Sequence, residues 1–232
     1  MFTTDTPVMR PIQHAEYYLV TSILNGTYPP GSVLPGERTL AGEMGVTRPT
    51  LREALQRLTR ERWITVRHGK PTQVNDYWRE GGMGMLATVV KYPEYLPSQF
   101  IRHLLHARVV FMPECAGPSV SNNRPMFRAF LENRVTAADD PETVAAYDWE
   151  LQEKMVNHSG NMVYPLMLND FAPVFRVMGE QYFTMEKARA ASAAYYTRLL
   201  DAVMKKRPVH PVVAQAMVES IEIWDELQGQ NT

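Results

Sequence analysis

The sequence GVTRPTLREALQRL, residues 45–58, decides the fold of the first third of this 232-residue chain. Its apolar residues recur at the spacing of one face of an α-helix. Residues four positions apart share a side of a helix, so charged residues gather on the opposite face. The stretch therefore predicts an amphipathic helix with three leucines on its buried face and two arginines on the other: Leu51, Leu55, Leu58, Arg48 and Arg52.

The proline near the start of this stretch is compatible with a helix. Thr47 is a residue type that caps helices, which makes Arg48 the first helical residue and Pro49 the second. Amide hydrogens in a first turn have no partner within the helix, and the fixed φ of proline suits that turn. Pro49 therefore helps to locate the beginning of the helix, while it removes one amide donor and a side-chain hydroxyl from the exposed start.

The neighbouring sequence completes a domain around this helix. Two earlier helices are predicted at Pro11–Asn25 and Glu37–Met44, and both are followed by glycine. Two later stretches, Trp63–Arg67 and Thr72–Asn75, alternate apolar and polar residues around the turn His68–Pro71, which predicts a β-hairpin. Three helices and a basic-tipped hairpin in this order predict a winged helix-turn-helix domain, residues 1–78.

The rest of the chain predicts a different architecture. Gly81, Gly82 and Gly84 indicate a hinge, placed at residues 79–96, and strand signals are absent after it. Residues 97–232 then predict an all-α bundle of about six or seven helices. We expect the first helix to begin at Leu96-Pro97 and to end at Pro118, and the later ones to cover Pro125–Ala137, Pro141–His158, Met162–Phe183, Met185–Arg207 and His210–Gln228.

Composition limits the classes of protein that fit. Apolar residues make up 45% of the chain, which suffices for a core, and no apolar run is long enough to cross a membrane. The N-terminal residues lack the apolar region of a signal peptide. A single cysteine, Cys115, cannot form an intramolecular disulfide. These features predict a cytoplasmic protein without a membrane partner.

Charge is unevenly distributed along the chain. The formal net charge is −1, yet seven basic and only two acidic residues lie between Thr47 and Lys70. Such a cluster is either a solvated charged face or the electrostatic footprint of nucleic-acid binding. The order of helices and hairpin favours the second alternative, with double-stranded DNA as the partner.

The basic residues have the chemistry for reading DNA. A helix fits the major groove, where Arg48 and Arg52 would each grip a guanine with two hydrogen bonds. Thr47 and Thr50 would offer hydroxyls to phosphates or bases at the positive end of the helix dipole. The hairpin tip would enter a minor groove or straddle phosphates, and the start of the second helix would contact a phosphate. The residues concerned are His68, Gly69, Lys70 and Arg38, for which solvated surface positions are the alternative.

These residues resemble a known family. The stretches YPPGSVLPGER, GVTRPTLREALQRLTRERWITVRHGKPTQVNDYW, SGNMVYPLMLN, QYF and ESIEIW are similar to the FadR subfamily of the bacterial GntR superfamily of transcription factors. The resemblance implies a homodimer on a palindromic operator. It assigns DNA contacts to Arg38, Thr47, Arg48, Thr50, Arg52, His68, Gly69 and Lys70. Pro49 departs from the subfamily, which has a threonine there, so the preferred operator is expected to differ.

The resemblance also implies an effector in the helical domain. Long-chain acyl-CoA would bind at Arg108, Tyr182, Glu219, Ser220 and Trp224 and release the protein from DNA. Met217 stands where the subfamily has a glycine, which bears on the size of the pocket. A regulator of another small carboxylate or acyl metabolite is the alternative, with Arg108 binding the acid. A third interpretation is that Arg108 forms an ion pair with a glutamate inside the protein.

Catalysis and metal binding are not predicted. Many GntR relatives bind a metal through an aspartate and several histidines; Asp148 is suitably placed, but Gln152, Tyr195, Tyr196 and Glu219 stand where histidines would be expected. His103 and His106 lack further ligands at helical spacing. Since no phosphate loop, catalytic triad or paired-carboxylate motif occurs either, we expect a regulator without cofactor or metal rather than an enzyme.

Overall fold

The computed structural model describes residues 9–97 and 99–230. The outer bounds of the two predicted domains, residues 1–8 and 231–232, lie outside the described residues. The chain divides after Tyr95 into two compact units. The first unit ends at Tyr95 and the second begins at Leu96, and each has its own core.

The first unit contains the three predicted helices. They are α1 (Pro11–Leu24), α2 (Glu37–Met44) and α3 (Arg48–Arg60), and both α1 and α2 pack against α3. The contacts form because each helix has one apolar face, and burying these faces together removes them from water. The core consists of Ala15, Leu19, Ile23, Leu40, Leu51, Leu55, Leu58, Trp63, Ile64 and Val74, all less than 6% exposed.

A short antiparallel hairpin follows α3. Strands β1 (Ile64–Thr65) and β2 (Gln73–Val74) pair with Ile64 opposite Val74. The strands are shorter than the alternating pattern predicts, and the earlier segment adds a bridge between Val33 and Gln73. Only the residues next to the buried Trp63 have a core to pack on, so the ladder ends where the side chains become exposed. The helices and hairpin confirm the winged helix-turn-helix fold.

The predicted hinge contains helical structure. Helix α4 spans Tyr77–Glu80, α5 spans Met85–Val89, and a single 3₁₀ turn spans Pro93–Tyr95. Met85, Val89 and Val90 are buried, since their apolar side chains pack within the first unit. Residues 79–96 therefore have local order, and their role as a hinge between domains stays a prediction.

The second unit is all-α, as predicted. Its described residues form six helices, without strands: α6 (Phe100–Asn122), α7 (Arg124–Glu132), α8 (Pro141–Asn157), α9 (Val163–Phe183), α10 (Glu186–Met204) and α11 (His210–Gln230). Helix α6 packs against α8 and α11, α8 packs against α9, and α10 packs against α7 and α11. The core lies between α6, α8, α10 and α11.

Three predicted helix ends are wrong, and one of them is that of α10, which ends at Met204 and not at Arg207. Pro118 does not end the first helix of the bundle, because α6 continues through it to Asn122. Ser119 and Val120 beyond the proline are buried, and this packing outweighs the hydrogen bond that proline removes. Helix α7 ends at Glu132 and not at 137, because Asn133 binds back to the carbonyl of Ala129 and the chain turns away.

Among the described helices, we find none that is both long and apolar enough to cross a membrane.

Candidate DNA-binding surface and ligand cavity

The start of α3 has the predicted cap. The Thr50 amide donates to Oγ1 of Thr47 at 3.3 Å, and the two threonine hydroxyls lie 2.9 Å apart. Arg48 is the first helical residue and Pro49 the second, as the sequence predicted. The cap satisfies one of the amides that a helix leaves without a partner. The exposed end of α3 therefore presents two hydroxyls and the Arg48 guanidinium to solvent.

Arg52 lies one turn further along α3, and its charge is paired. Its Nε donates to Oε2 of Glu37, the first residue of α2, at 2.7 Å. The two side chains are exposed, and the pair links the second and third helices at the surface that the sequence assigns to DNA. The described ion pairs include none for Arg38, Arg48 or Lys70.

The hairpin tip and the start of α2 carry the remaining predicted contacts. His68, Gly69 and Lys70 are exposed, as is Arg38 on α2. Gly69 has φ +68°, a conformation that side chains with a Cβ rarely adopt, while the Lys70 amide closes the turn on the Arg67 carbonyl. The turn therefore needs glycine for its backbone and leaves two basic side chains free at the tip.

The second unit encloses a cavity of about 460 Å³. It is lined by α6, α8, α9, α10 and α11, and most of the lining side chains are aromatic or aliphatic. The volume lies within the range of about 300–1,000 Å³ that small-molecule pockets occupy. The five predicted ligand residues all line this one cavity: Arg108, Tyr182, Glu219, Ser220 and Trp224. Met217, which stands where the subfamily has a glycine, lines it as well.

Arg108 has a charged partner, but not the glutamate that the sequence allowed. Its Nη2 lies 4.0 Å from Oδ2 of Asp148 on α8, and its guanidinium lies 5.9 Å from the ring centre of Phe175. In the described chain, Nε of Arg108 is buried without a hydrogen-bond partner. An Arg108–Glu pair is therefore wrong for this structure. The Arg108 side chain makes no hydrogen bond within the described chain, so its guanidinium keeps donors for an acceptor in the cavity.

Asp148 is the centre of a buried polar cluster. The hydroxyl of Tyr196 donates to its Oδ1 at 2.9 Å, and Nε2 of Gln152 donates to its Oδ2 at 2.6 Å. Burial raises the pKa of the Asp148 carboxyl, while Arg108 and the two hydrogen bonds act to lower that pKa. Burial likewise raises the pKa of Tyr196, which keeps its hydroxyl protonated as a donor.

Glu219 and Ser220 also have partners within the protein. Nη2 of Arg198 lies 2.9 Å from Oε2 of Glu219, and Gln215 donates to Oε1 at 2.8 Å. The Ser220 hydroxyl donates to the Met217 carbonyl at 2.7 Å, so its oxygen can accept from a ligand. The Met217 side chain is buried against the same cavity.

The absence of a metal stays a prediction. Among residues 9–97 and 99–230 we find no cluster of three or more histidine, cysteine, aspartate or glutamate side chains suited to a metal. His103 and His106 are exposed on α6. Gln152 and Tyr196 each donate a hydrogen bond to Asp148.

Sequence reasoning missed one residue at the DNA surface and misjudged the cavity network. Glu37 gives no local signal of its contact with Arg52, because the two residues lie 15 positions apart. The sequence suggests Asp148 only as a metal ligand. Its hydrogen bond from Gln152 lies within α8 at i, i+4 spacing, whereas the hydrogen bond from Tyr196 depends on where α10 lies relative to α8.

The fold and the exposed basic surface define a winged-helix transcription regulator with a helical second domain, and comparison with known proteins agrees. Residues 11–74 match the family model for bacterial regulatory proteins of the gntR family, and residues 75–231 match the model for the FadR C-terminal domain. The chain belongs to the FadR subfamily of the GntR family. It is a DNA-binding regulator and not an enzyme.

Named relatives cover nearly the whole chain. The fatty acid metabolism regulator protein of Edwardsiella ictaluri (strain 93-146) is 36% identical over 94% of this chain and 92% of its own. The protein of that name from Shewanella pealeana (strain ATCC 700345 / ANG-SQ1) is 37% identical over the same shares. A solved structure of Lar, which controls the Listeria monocytogenes agr system, has a TM-score of 0.59 at 16% identity and covers 93% of this chain and 97% of its own, a likeness of fold alone.

Proposed function

We propose that this regulator controls fatty acid metabolism and leaves its operator when long-chain acyl-CoA binds in the cavity of the second unit. The relatives named fatty acid metabolism regulator protein support the regulated process. A homodimer would bind a palindromic operator, with one winged helix on each half-site.

The convergence of five residues on one cavity carries the proposal. Arg108 comes from α6, Tyr182 from α9, and Glu219, Ser220 and Trp224 from α11, so up to 116 positions separate them in the sequence. Tyr182 and Trp224 combine an apolar body with a hydrogen-bonding atom, which suits the junction between an acyl chain and its polar head. The aliphatic and aromatic lining would take the chain itself.

The polar groups of the cavity favour a neutral acceptor over a free acid. Arg108 shares its charge with Asp148, and Arg198 shares its charge with Glu219, so no whole positive charge is left for a carboxylate. The terminal Nη groups of Arg108, which form no hydrogen bond in the described chain, would donate to a carbonyl oxygen such as that of a thioester. An acyl-CoA offers this oxygen without a charge next to it.

The DNA-binding surface would use the exposed start of α3 and the hairpin tip. Arg48 and Arg52 would read bases in the major groove, while Thr47, Thr50, Arg38, His68, Gly69 and Lys70 would contact phosphates or the minor groove. Effector binding would favour a state in which the spacing of the two winged helices no longer fits the half-sites.

Oleoyl-CoA, oleate and CoA, titrated separately into an operator-binding assay, test the effector. We expect oleoyl-CoA, below the concentrations at which it aggregates, to weaken operator binding by about 5- to 150-fold, the usual size of coupling between two sites. Oleate and CoA should have little effect. Ser220→Ala should reduce the response, whereas Val218→Ala on the exposed side of α11 should retain it. A response to CoA alone, or none to oleoyl-CoA, would refute the proposal.

A regulator of another small acid is the second candidate. The observation in its favour is the same Arg108 guanidinium, because a carboxylate oxygen would also satisfy its terminal Nη groups. The titration separates the two, because a free acid would then act at least as strongly as its CoA ester.

A further inference from the structure

An exposed ion pair links α2 and α3 in the first unit. Nε of Arg52 donates to Oε2 of Glu37 at 2.7 Å, and the two residues lie 15 positions apart. Ion pairs between exposed side chains contribute little to stability, so folding alone does not explain this contact. The contact joins the first residue of α2 to the second turn of α3, the two helices of the helix-turn-helix, and this position suggests a role in binding.

Glu37 fixes which edge of the Arg52 guanidinium stays available. The guanidinium is planar and carries its N–H donors in a rigid fork, so binding one donor orients the others. With Nε engaged by Glu37, the terminal Nη groups remain to form the two hydrogen bonds that grip a guanine. Glu37 is itself held, because it lies in the first turn of α2, where the helix dipole favours a negative charge.

We infer that Glu37 is a positioning residue that makes Arg52 select bases instead of binding phosphates. This rests on the proposed function, in which Arg52 faces DNA. Phosphate attraction follows net positive charge and ignores sequence, whereas base contacts follow geometry. The Glu37–Arg52 pair has no net charge, so it adds little to sequence-independent attraction. Its carboxylate also repels phosphates when the helix is in a wrong register on the DNA.

The contrast with the other basic residues supports this division of roles. Arg38, Arg48 and Lys70 are exposed, and the ion pairs of the described chain leave their charges uncompensated. Their uncompensated charges would supply the attraction to the backbone, which for Arg48 comes in addition to its proposed base contact. Glu37 compensates the charge of Arg52 and orients its guanidinium. Arg52 would therefore discriminate between bases at one position of each half-site.

Glu37→Gln tests the inference, with Glu53→Gln as the matched control. Glu53 is an exposed glutamate on α3 that pairs with Arg57 and not with Arg52, so both variants remove one negative charge near the same helix. The probes are a duplex selected from a random library by the wild-type full-length chain and a scrambled duplex of the same composition. Affinities for both are measured over a series of salt concentrations.

Glu37→Gln should bind the scrambled duplex more tightly and steepen the salt dependence by about one counterion. The ratio of selected to scrambled affinity should fall by about 5-fold or more, since one base contact is worth about 1–3 kcal/mol of discrimination. Glu53→Gln should change both affinities together and keep the ratio. In an Arg52→Ala background, Glu37→Gln should no longer change the ratio.

The results separate the positioning role of Glu37 from the base contact that the proposed function gives to Arg52. If Arg52→Ala lowers the ratio but Glu37→Gln behaves like Glu53→Gln, then Arg52 reads DNA without help from Glu37 and the inference is wrong. If Arg52→Ala leaves the ratio unchanged, Arg52 has no part in base reading, and both the inference and that contact of the proposed function are wrong. Thermal unfolding of each variant shows whether a loss of fold is responsible.

Discussion

Asp148 has partners on three helices in the interior of the second unit. Tyr196 on α10 and Gln152 on α8 donate hydrogen bonds to its two oxygens, and Nη2 of Arg108 on α6 lies 4.0 Å from Oδ2. A buried carboxylate is costly unless such donors replace water, and the donors in turn are costly to leave unpaired. One aspartate therefore fixes the relative placement of three helices that line the cavity.

Replacing Asp148 should show this dependence. Asp148→Ala should destabilise the protein by about 3–5 kcal/mol, because it leaves the charge of Arg108 without a carboxylate. Asp148→Asn should cost less, about 1–3 kcal/mol, because its carbonyl oxygen still accepts one hydrogen bond. Urea unfolding followed by circular dichroism measures both. Asp201→Asn, at an exposed carboxylate on α10, is the control and should change stability little. Equal stability of the alanine variant and the control would show that the cluster has no structural role.

The same carboxylate predicts a pH dependence of stability. Burial raises the folded-state pKa of Asp148 above its usual value of about 3.9, so the folded state binds this proton more tightly than the unfolded state. The resulting stability is fully present below the unfolded pKa and is lost as pH rises through the folded pKa. The free energy of unfolding of the wild type, measured relative to Asp148→Asn, should therefore increase as the pH falls from neutral towards 4. A constant difference would contradict the raised pKa.

At the scale of elements, local sequence signals determine where helices begin better than where they end. The capping Thr47 and the first-turn prolines of α1, α3, α7 and α8 are local features, and those starts agree with the sequence to within a residue. The end of α6 depends instead on packing, since the turns beyond Pro118 are held in the core. A proline in the sequence does not indicate how strongly the burial of the residues after it stabilises a helix that continues through it.

The two prolines of α6 offer a test of that balance. Pro118 is exposed, so Pro118→Ala should restore a backbone hydrogen bond without creating a cavity. We expect a gain of about 1–2 kcal/mol, since the helix propensity gained exceeds the entropy that proline removes from the unfolded chain. Pro113 is buried, and Pro113→Ala should gain less because it also removes packed atoms. Hydrogen exchange of the α6 amides locates the effect. A loss of stability in Pro118→Ala would show that proline fits the helix better than alanine does at this position.

At the scale of the whole molecule, the sequence predicted both architectures and the residues of the cavity, but not their pairing. The ligand residues followed from a resemblance that aligns positions, and the structure brings them to one cavity. The partners Asp148 of Arg108, Arg198 of Glu219 and Glu37 of Arg52 lie 40, 21 and 15 positions away. Contacts between residues so far apart in the sequence depend on how the helices pack. The spacing of residues within one helix predicts only contacts three or four positions apart.

Coupling between cavity and operator gives the last prediction, which concerns the assembled regulator. Two ligands that share a protein change each other's affinity by the same factor, whatever the mechanism between them. If oleoyl-CoA weakens binding of the selected duplex by a given factor, a saturating amount of that duplex should weaken oleoyl-CoA binding by the same factor, about 5- to 150-fold. Tryptophan fluorescence provides the readout, because Trp149 and Trp224 line the cavity.

The scrambled duplex is the control and should leave oleoyl-CoA binding almost unchanged at the same concentration. A detergent-like action of the acyl chain on the protein would weaken operator binding as well, but it would not depend on whether the operator was present. Unequal factors would therefore show that oleoyl-CoA removes the protein from DNA by a route other than binding in the cavity of the native regulator.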